Sequence, residues 1–484
     1  MSSAIQELKP TAVWNHFAQI NAIPRPSKKE ERIIAFVKNF GAQFGLPTHV
    51  DEVGNIIIKK PASPGMEGRS TVVMQSHLDM VHQKNADTEF DFDQEGIRML
   101  VDGDWVKADG TTLGADNGLG VAAIMAVLAA DDIAHPPIEA LFTIDEETGM
   151  TGAKGLKGGL LEGKIMLNLD TEDDDELTIG CAGGIDITAT GTYKPVAVLP
   201  DSLCFELSIR GLTGGHSGMD IHLGRGNANK LMNRFLSLLD SKFDLSIHAI
   251  NGGGLRNALP RESFALVAIP ESEVKQLHAL ADEFRQTIQM EYKSTDPEMT
   301  LEVASHEMLS DTLPKSFQKL LLRSIYACPN GIYRMSPDVE GLVQTSNNLA
   351  RVRVKDGAYE ILCLTRSSVD SEKMDEAQAI TSTFELMGAN VRLDGSYPGW
   401  TPKPDSTIVQ LMSNLYTELF GEEAHVMACH AGLECGILGK YYPNMEMISF
   451  GPNIRGAHSP DEKAQISSVQ KFWHFLLETL KRIP

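Results

Sequence analysis

The sequence predicts an α/β protein interrupted by a second, α+β domain, and three observations carry that prediction. At 484 residues the chain exceeds what one hydrophobic core organises, since single cores stop growing at roughly 250 to 300 residues. Up to Gly184, apolar runs of strand length alternate with helical patterns, and polar residues gather where strands end. That is the pattern of a sheet carrying its site along its carboxyl edge. The texture then changes twice, after Gly184 and at Pro398-Gly-Trp-Thr-Pro-Lys-Pro. The chain is therefore expected to divide into 1–186, 187–397 and 398–484, the first and last stretches forming one domain.

The elements follow in order. Residues 30–44 have helical apolar spacing, and Asn55-Ile-Ile-Ile-Lys-Lys reads as a strand. Thr71-Val-Val-Met-Gln is a buried strand ending at His77. Residues 118–130 are apolar on almost every side, which predicts a buried helix. Ile138-Glu-Ala-Leu-Phe-Thr-Ile is a strand delivering Asp145, Glu146 and Glu147, and Lys164-Ile-Met-Leu-Asn-Leu is another delivering Asp170. Beyond Gly184, longer alternating strands separate amphipathic helices at 227–241 and 272–292. Two stretches there resemble each other: Asn257-Ala-Leu-Pro, a strand and the helix near 272, and Asn348-Leu-Ala-Arg, a strand ending at Arg366 and a helix near 371. The likeness suggests an internal duplication.

Hydrophobic residues make up 42% and charged residues 22%, the balance of a globular enzyme. A formal net charge of -22 repels nucleic acid and anionic membranes, so neither is an expected partner. The acidic run at 172–176 reads as a solvated face rather than an attractor of metal. The N-terminus has no basic region followed by an apolar one, and no uncharged stretch reaches the roughly 20 apolar residues of a membrane span. A cytoplasmic location is expected. The six cysteines (181, 204, 328, 363, 429 and 435) include no C-x-x-C pair, consistent with reduced thiols.

Chemistry is concentrated in two clusters nearly four hundred residues apart, His77-Leu78-Asp79 and Gly456-Ala457-His458-Ser459. With Asp116, Asp145-Glu146-Glu147 and Asp170 between them, they supply every ligand type a two-metal hydrolytic centre requires. Zinc takes imidazole nitrogen and carboxylate oxygen, and catalytic sites leave a position for water. Two metals about 3.5 to 4 Å apart need a bridging carboxylate; one Asp can bridge, leaving two terminal ligands per ion. His77 and Asp79 are i and i+2, so on an extended segment Asp79 can orient the imidazole. Glu146 and Glu147 point to opposite sides of extended backbone, one able to reach metal while the other faces water.

Each motif taken alone has a plainer reading. An H-x-D tripeptide arises by chance, and Asp-Glu-Glu is commonly a solvated turn, although burial of the strand before it argues otherwise. Asp116 stands just before a helix N-terminus, where glycines allow backbone to approach a ligand closely. Gly118-Leu-Gly-Val-Ala-Ala matches G-x-G-x-x-A formally, but Thr-Thr-Leu-Gly-Ala-Asp-Asn is a poor strand for a dinucleotide fingerprint to follow. Gly214-Gly-His-Ser-Gly fails as a serine elbow, because Ser217 has Met219 at +2. By itself, His216 reads as a loop or core histidine.

The order H-x-D, G-A-D-N-G, D-E-E-x-G, N-x-D and H-S resembles the dizinc aminoacylase, carboxypeptidase and dipeptidase family, and within it the aminoacyl-histidine dipeptidase (Xaa-His dipeptidase) branch. The segments carrying the resemblance are Gln75-Ser-His-Leu-Asp-Met-Val, Thr111-Thr-Leu-Gly-Ala-Asp-Asn-Gly, Gly180-Cys-Ala-Gly-Gly-Ile-Asp, Gly214-Gly-His-Ser-Gly, Arg256-Asn-Ala-Leu-Pro-Arg-Glu, His430-Ala-Gly-Leu-Glu-Cys-Gly and His458-Ser-Pro-Asp-Glu. It implies a zinc-peptidase-like catalytic domain with a central mixed sheet flanked by helices, interrupted by an inserted α+β lid domain. It also implies two zinc ions per subunit, for which manganese or cobalt can substitute. His77 and Asp170 would hold one ion, Glu147 and His458 the other, and Asp116 would bridge them. Glu146 would be the general base, Asp79 would tune the His77 side, His216 of the lid would steady the oxyanion, and Asn257 would contact substrate.

One departure concerns the substrate carboxylate. Members with a shorter lid tend to carry an Arg soon after the Asn motif, where Ile269 falls here; Leu364-Thr-Arg366 occupies the similar place in the second half of the lid. Arg366 is thus the expected clamp, a planar fork suited to a carboxylate. The expected reaction is hydrolysis of small unblocked dipeptides, especially Xaa-His including β-alanyl-histidine (carnosine). An N-acyl amino acid amidohydrolase or a carboxypeptidase of the same family is the alternative. His430 and Glu434 are expected to help shape the substrate pocket. A homodimer through the lid domain is expected, with His216 serving its own chain or a neighbour.

Overall fold

The computed structural model describes residues 3–484. The chain forms two compact units: one runs to Gly180 and resumes at Trp400–Ala428 and Leu433–Pro484, and the other comprises Cys181–Gly399 with Cys429–Gly432.

The first unit is built on a mixed eight-stranded sheet. Val72–His77 lies at its centre, parallel to Ile138–Thr143 on one side and Ile165–Asn168 on the other. Ile56–Lys60 adds antiparallel to Ile138–Thr143, and Glu446–Ser449, from the far end of the sequence, adds parallel to Ile165–Asn168. All six residues of Val72–His77 and of Ile138–Thr143 are buried. Strands covered on both faces read as continuous apolar runs, which is why these two were visible in the sequence. The helix Ala115–Ala129 is buried along nearly its whole length, as its uniformly apolar composition requires. Its glycines serve packing. A Cβ on Gly120 would lie 2.6 Å from the Leu169 carbonyl, and one on Gly118 would lie 2.7 Å from the Arg25 guanidinium. Close backbone approach is made here toward protein neighbours.

The second unit is built on a nine-stranded antiparallel sheet with one main core. Alternate residues of its strands (Phe205, Leu207 and Ile209; Val352 and Val354) point to that core together with the apolar stripes of Ala228–Lys242, Val274–Glu291, Lys315–Ala327 and Asp370–Glu385. Asn227 caps the first of these helices, its side chain accepting from the backbone N–H groups of Asn229 and Lys230.

The sheet repeats one arrangement. Ser202–Arg210, Ala228–Lys242, Ser246–Gly253, Ser263–Pro270, Val274–Glu291 and Thr300–Ser305 form strand, helix, strand, strand, helix, strand. Gly183–Thr192, then Lys315–Ala327, Val343–Lys355, Ala358–Ser367, Asp370–Glu385 and Asn390–Tyr397 form the same series. Outward from the middle of the sheet, both halves run second, third, first, fourth strand. The asparagines that open the two similar stretches are not equivalent, however. Asn257 sits in a turn, whereas Asn348 lies within Val343–Lys355.

Among the described residues no helix is long and apolar enough to cross a membrane, and all six cysteines are reduced thiols.

Candidate metal centre

Three parallel strands deliver the polar residues to one edge of the first unit's sheet. His77 is the last residue of Val72–His77; Asp145 to Glu147 follow Ile138–Thr143, and Asp170 follows Ile165–Asn168. Asp145 takes a left-handed conformation (φ 51°) that turns the chain into the short helix Glu146–Gly149. The two glutamates thus leave a helical turn, not the extended backbone expected. Asp116 stands in the first turn of Ala115–Ala129.

These residues converge. One carboxylate oxygen of Asp116 lies 3.1 Å from His77 Nε2, and its other oxygen lies 3.3 Å from His458 Nε2. Asp170 is 3.5 Å from His77 Nε2, and Glu147 is 3.1 Å from His458 Nε2. Ligand-type atoms of His77, Asp116 and Asp170, of Asp116, Glu147 and His458, and of His77, Glu146 and Glu147 lie within 4.8 Å of one another in each group. The Glu147 Oε1 atom is buried without a hydrogen-bond partner. A buried, unsatisfied carboxylate oxygen is costly, and a cation between the two histidines would satisfy it. The donor set of imidazole and carboxylate fits a metal such as zinc.

Electrostatics point the same way. Burial opposes the charged form of His77, but Asp170, Asp116 and Asp79 outweigh it and hold the ring well above the usual histidine range. Hydrogen bonds donated to Asp116 and Glu147 push His458 up to about 11. Burial pushes Asp170 up to about 6, with Asp116 and Glu147 adding to the shift and His77 opposing it. Glu146 is driven well above the carboxylate range by burial, with Asp170, Glu434 and Glu147 reinforcing. Too many carboxylates share this space to ionise together unless protons or cations intervene.

Asp79, expected beside His77, and several residues that the sequence reading missed hold the centre in place. Asp79 sits 3.3 Å from His77 Nδ1, and its carboxylate also accepts from the backbone N–H groups of Glu146 and Glu147 and from the Ser27 hydroxyl. It therefore fixes both the imidazole and the turn carrying the glutamates. Glu462 accepts from the backbone N–H groups of Leu113, Gly114, Ala115 and Asp116 and so fixes the start of the helix that presents Asp116. Arg25, fully buried, donates to the carbonyls of Leu78, Asp79 and Gly114, joining two site loops. Glu462 belongs to the His458-Ser-Pro-Asp-Glu segment, so a signal for it was present; Arg25 and Ser27 had none.

The acidic run at 172–176 is only in part the solvated face expected. Every residue of it is half-buried. Asp173 pairs with Arg455 and Asp174 with Lys471. Glu172 is pushed up to about 8 by burial, with Asp116 and Asp170 adding to the shift.

His216, Asn257 and Arg366 belong to the second unit. His216 forms a β-bridge with Ala258, and Ser217 N–H donates to the Asn257 carbonyl, which brings the first two segments together. His216 Nδ1 accepts from the backbone N–H groups of Gly218 and Met219, which leaves the ring proton on Nε2. Burial and Arg366 lower its pKa. Arg366 is 5% exposed. It donates to the Tyr397 hydroxyl at 2.9 Å and to Ser217 Oγ at 3.5 Å. His430, hydrogen-bonded to Ser346 at 2.8 Å, is pushed down to about 3 by burial and by Arg366, His216 and His222.

An α/β unit with paired ligand groups at its sheet edge defines a hydrolase centre, and the comparisons give its class. Residues 73–482 match the model of peptidase family M20/M25/M40, and the chain belongs to that family. It is a hydrolase acting on peptide bonds. The cytosol non-specific dipeptidase of Escherichia coli is 43% identical over 482 residues, covering 100% of this chain and 99% of that protein. The aminoacylhistidine dipeptidase of Vibrio alginolyticus superposes with a TM-score of 0.94 at 43% identity, over 100% of this chain and 99% of that one. The aminopeptidase PepT of Bacillus cereus shares the fold alone, with a TM-score of 0.58 at 15% identity over 98% and 99% of the two chains.

Proposed function

We propose that this chain is a cytoplasmic two-metal dipeptidase that hydrolyses unblocked dipeptides, with Xaa-His substrates, β-alanyl-histidine among them, as the preferred class. The observation that carries this reading is Asp116, whose two oxygens face His77 and His458 separately, as a bridging carboxylate must. His77 and Asp170 would hold one zinc ion, Glu147 and His458 the other. The ions, when bound, supply Lewis acidity toward the scissile carbonyl and lower the pKa of water.

The chain's own groups do the rest. Glu146 takes a proton from the attacking water and returns it to the leaving amine. A carboxyl held above its ordinary range by burial is brought into the useful range once cations replace the protons around it. Asp79 keeps His77 and the Glu146 turn in register. His216, with its proton on Nε2, has the donor that a developing oxyanion needs, and Asn257 beside it is assigned to substrate. Arg366 is assigned to the substrate carboxylate: no carboxylate of the described residues pairs with it. We read the second unit as a lid and as the site of homodimer contact.

The relatives' names differ on breadth, one being called non-specific and the other aminoacylhistidine dipeptidase. The test is hydrolysis of β-alanyl-histidine, with other dipeptides beside it, by metal-stripped protein titrated with zinc, in the wild type and in Glu146→Ala. Activity should rise toward two metal equivalents. It should fall by at least about 10³-fold in the variant, whose metal binding should persist. Full metal binding with cleavage of N-acetyl amino acids but not dipeptides would replace this reading with an N-acyl amidohydrolase.

A further inference from the structure

Resting on the dipeptidase reading, we propose that Glu434 is the specificity residue that recognises the substrate's free N-terminal ammonium group. Glu434 opens the helix Glu434–Tyr441 and is completely buried. One of its oxygens is spent: Oε2 accepts from Gln75 Nε2 and from Thr143 Oγ1, each at 2.6 Å. These donors are themselves fixed. Asn168 Nδ2 donates to Gln75 Oε1, and Thr143 lies in register with His77 across the parallel pair. The other oxygen, Oε1, is buried with no hydrogen-bond partner.

The surroundings place this carboxylate near the catalytic groups, since its donor Thr143 is paired with His77 and stands shortly before Glu146 in the chain. His77, Asp170 and Asp79 act on Glu434 electrostatically, and Glu434 acts in turn on Glu146. No lysine or arginine of the described residues pairs with it. The buried Arg25 is committed to backbone carbonyls and Asn21. The five groups assigned to metal are complete without it. A buried carboxylate lacking a cation is costly, and a dipeptide brings a cation with it, one carbon from the scissile carbonyl in an α-aminoacyl substrate and two in β-alanyl-histidine. An ammonium seated on Oε1 would complete the carboxylate's hydrogen bonds with a charge-assisted one. It would also reject substrates whose amine is missing or acylated.

The test compares alanyl-histidine with propionyl-histidine, which differs only by lacking the amine, in the wild type, Glu434→Gln and Glu434→Asp. The wild type should favour the free amine by about 100-fold or more in kcat/KM, since sites built to hydrogen-bond a polar group reject analogues without it. In Glu434→Gln that ratio should fall to within about tenfold of unity, the loss appearing mainly in KM, and in Glu434→Asp it should be intermediate. Should the Gln variant not fold, judged by circular dichroism, the Asp variant reads the same ratio. A purely structural role predicts that both substrates lose rate together with the ratio intact; that result, or a ratio unchanged in a folded variant, overturns the proposal. A wild type that cleaves both substrates equally overturns it too. A wild type that cleaves neither removes the dipeptidase reading itself.

Discussion

The two compact units carry polar clusters of different character. In the first unit Asp116, Glu146, Glu147, Asp170 and Glu434 crowd two histidines, and burial pushes Asp170 up to about 6 and Glu434 up to about 7. In the second, Arg366 stands with His216 and His430, and His430 is pushed down to about 3. One cluster has carboxylates in excess of its cations, and the other sets a buried guanidinium beside imidazoles held neutral, with Asp186 and Asp220 acting on that cluster. Buried charge left unbalanced is a cost that a fold retains where a ligand removes it. Metal ions and an ammonium suit the first; a carboxylate suits the second.

The sharpest way to break this comparison is Asp116→Asn, which removes the charge shared between the two histidines. Binding of both metal equivalents should weaken and hydrolysis should drop by more than about 10³-fold, measured by metal analysis of the dialysed protein beside its rate. Retention of two tightly held ions would mean that Asp116 does not bridge. On the cationic side, Arg366→Ala should raise KM for a dipeptide by about 100-fold with a smaller change in kcat. It should also erase the preference for a dipeptide over its C-terminal amide, and an amide preference left intact would locate the carboxylate elsewhere.

The smallest effect concerns pH and has opposite signs in the two clusters. Asp170, Glu434 and Glu172 have folded pKa values raised to about 6, 7 and 8. Their contribution is present below the ordinary carboxylate range and is lost as pH rises through those values. Metal-free protein should therefore lose thermal stability between pH 5 and 8, and the increment restored by zinc should grow over that interval because protons compete with metal. His430 is depressed, so its contribution is present above about 6.5 and is lost as pH falls toward 3. Replacing it by Gln should reduce the acid-side loss of stability by about 2 kcal/mol, read from thermal melts between pH 7 and 4.5. A Gln variant that melts with the wild type's acid-side slope would show that His430 does not titrate as a buried group.

Four of the five residues assigned to metal were legible because each is delivered by a feature that local sequence displays, whereas His458 sits in a turn and its ligand role came only through the resemblance. His77, Glu147 and Asp170 follow strands of continuous apolar residues, and Asp116 opens a helix apolar on all sides. The repeat in the second unit was legible only in part: the strand and helix pairs at 263–291 and 358–385 matched, while strand Gly183–Thr192, separated from the rest of its half by the whole of the other half, gave no signal.

By itself, then, the sequence determined the alternation that makes the sheet, the strand ends that carry imidazole and carboxylate, and the family those motifs resemble. Periodicity and residue chemistry act over a few positions and survive in one dimension. Only the tertiary structure decided which groups steady the site and which charges lack a partner. Arg25 meets Gly114 across 89 residues, Glu462 meets Leu113 across 349, and Glu434 meets Gln75 across 359. Burial is likewise a property of the packed chain: the same glutamate is a solvated surface group on one fold and an unsatisfied acid on another, and nothing in its immediate sequence distinguishes them.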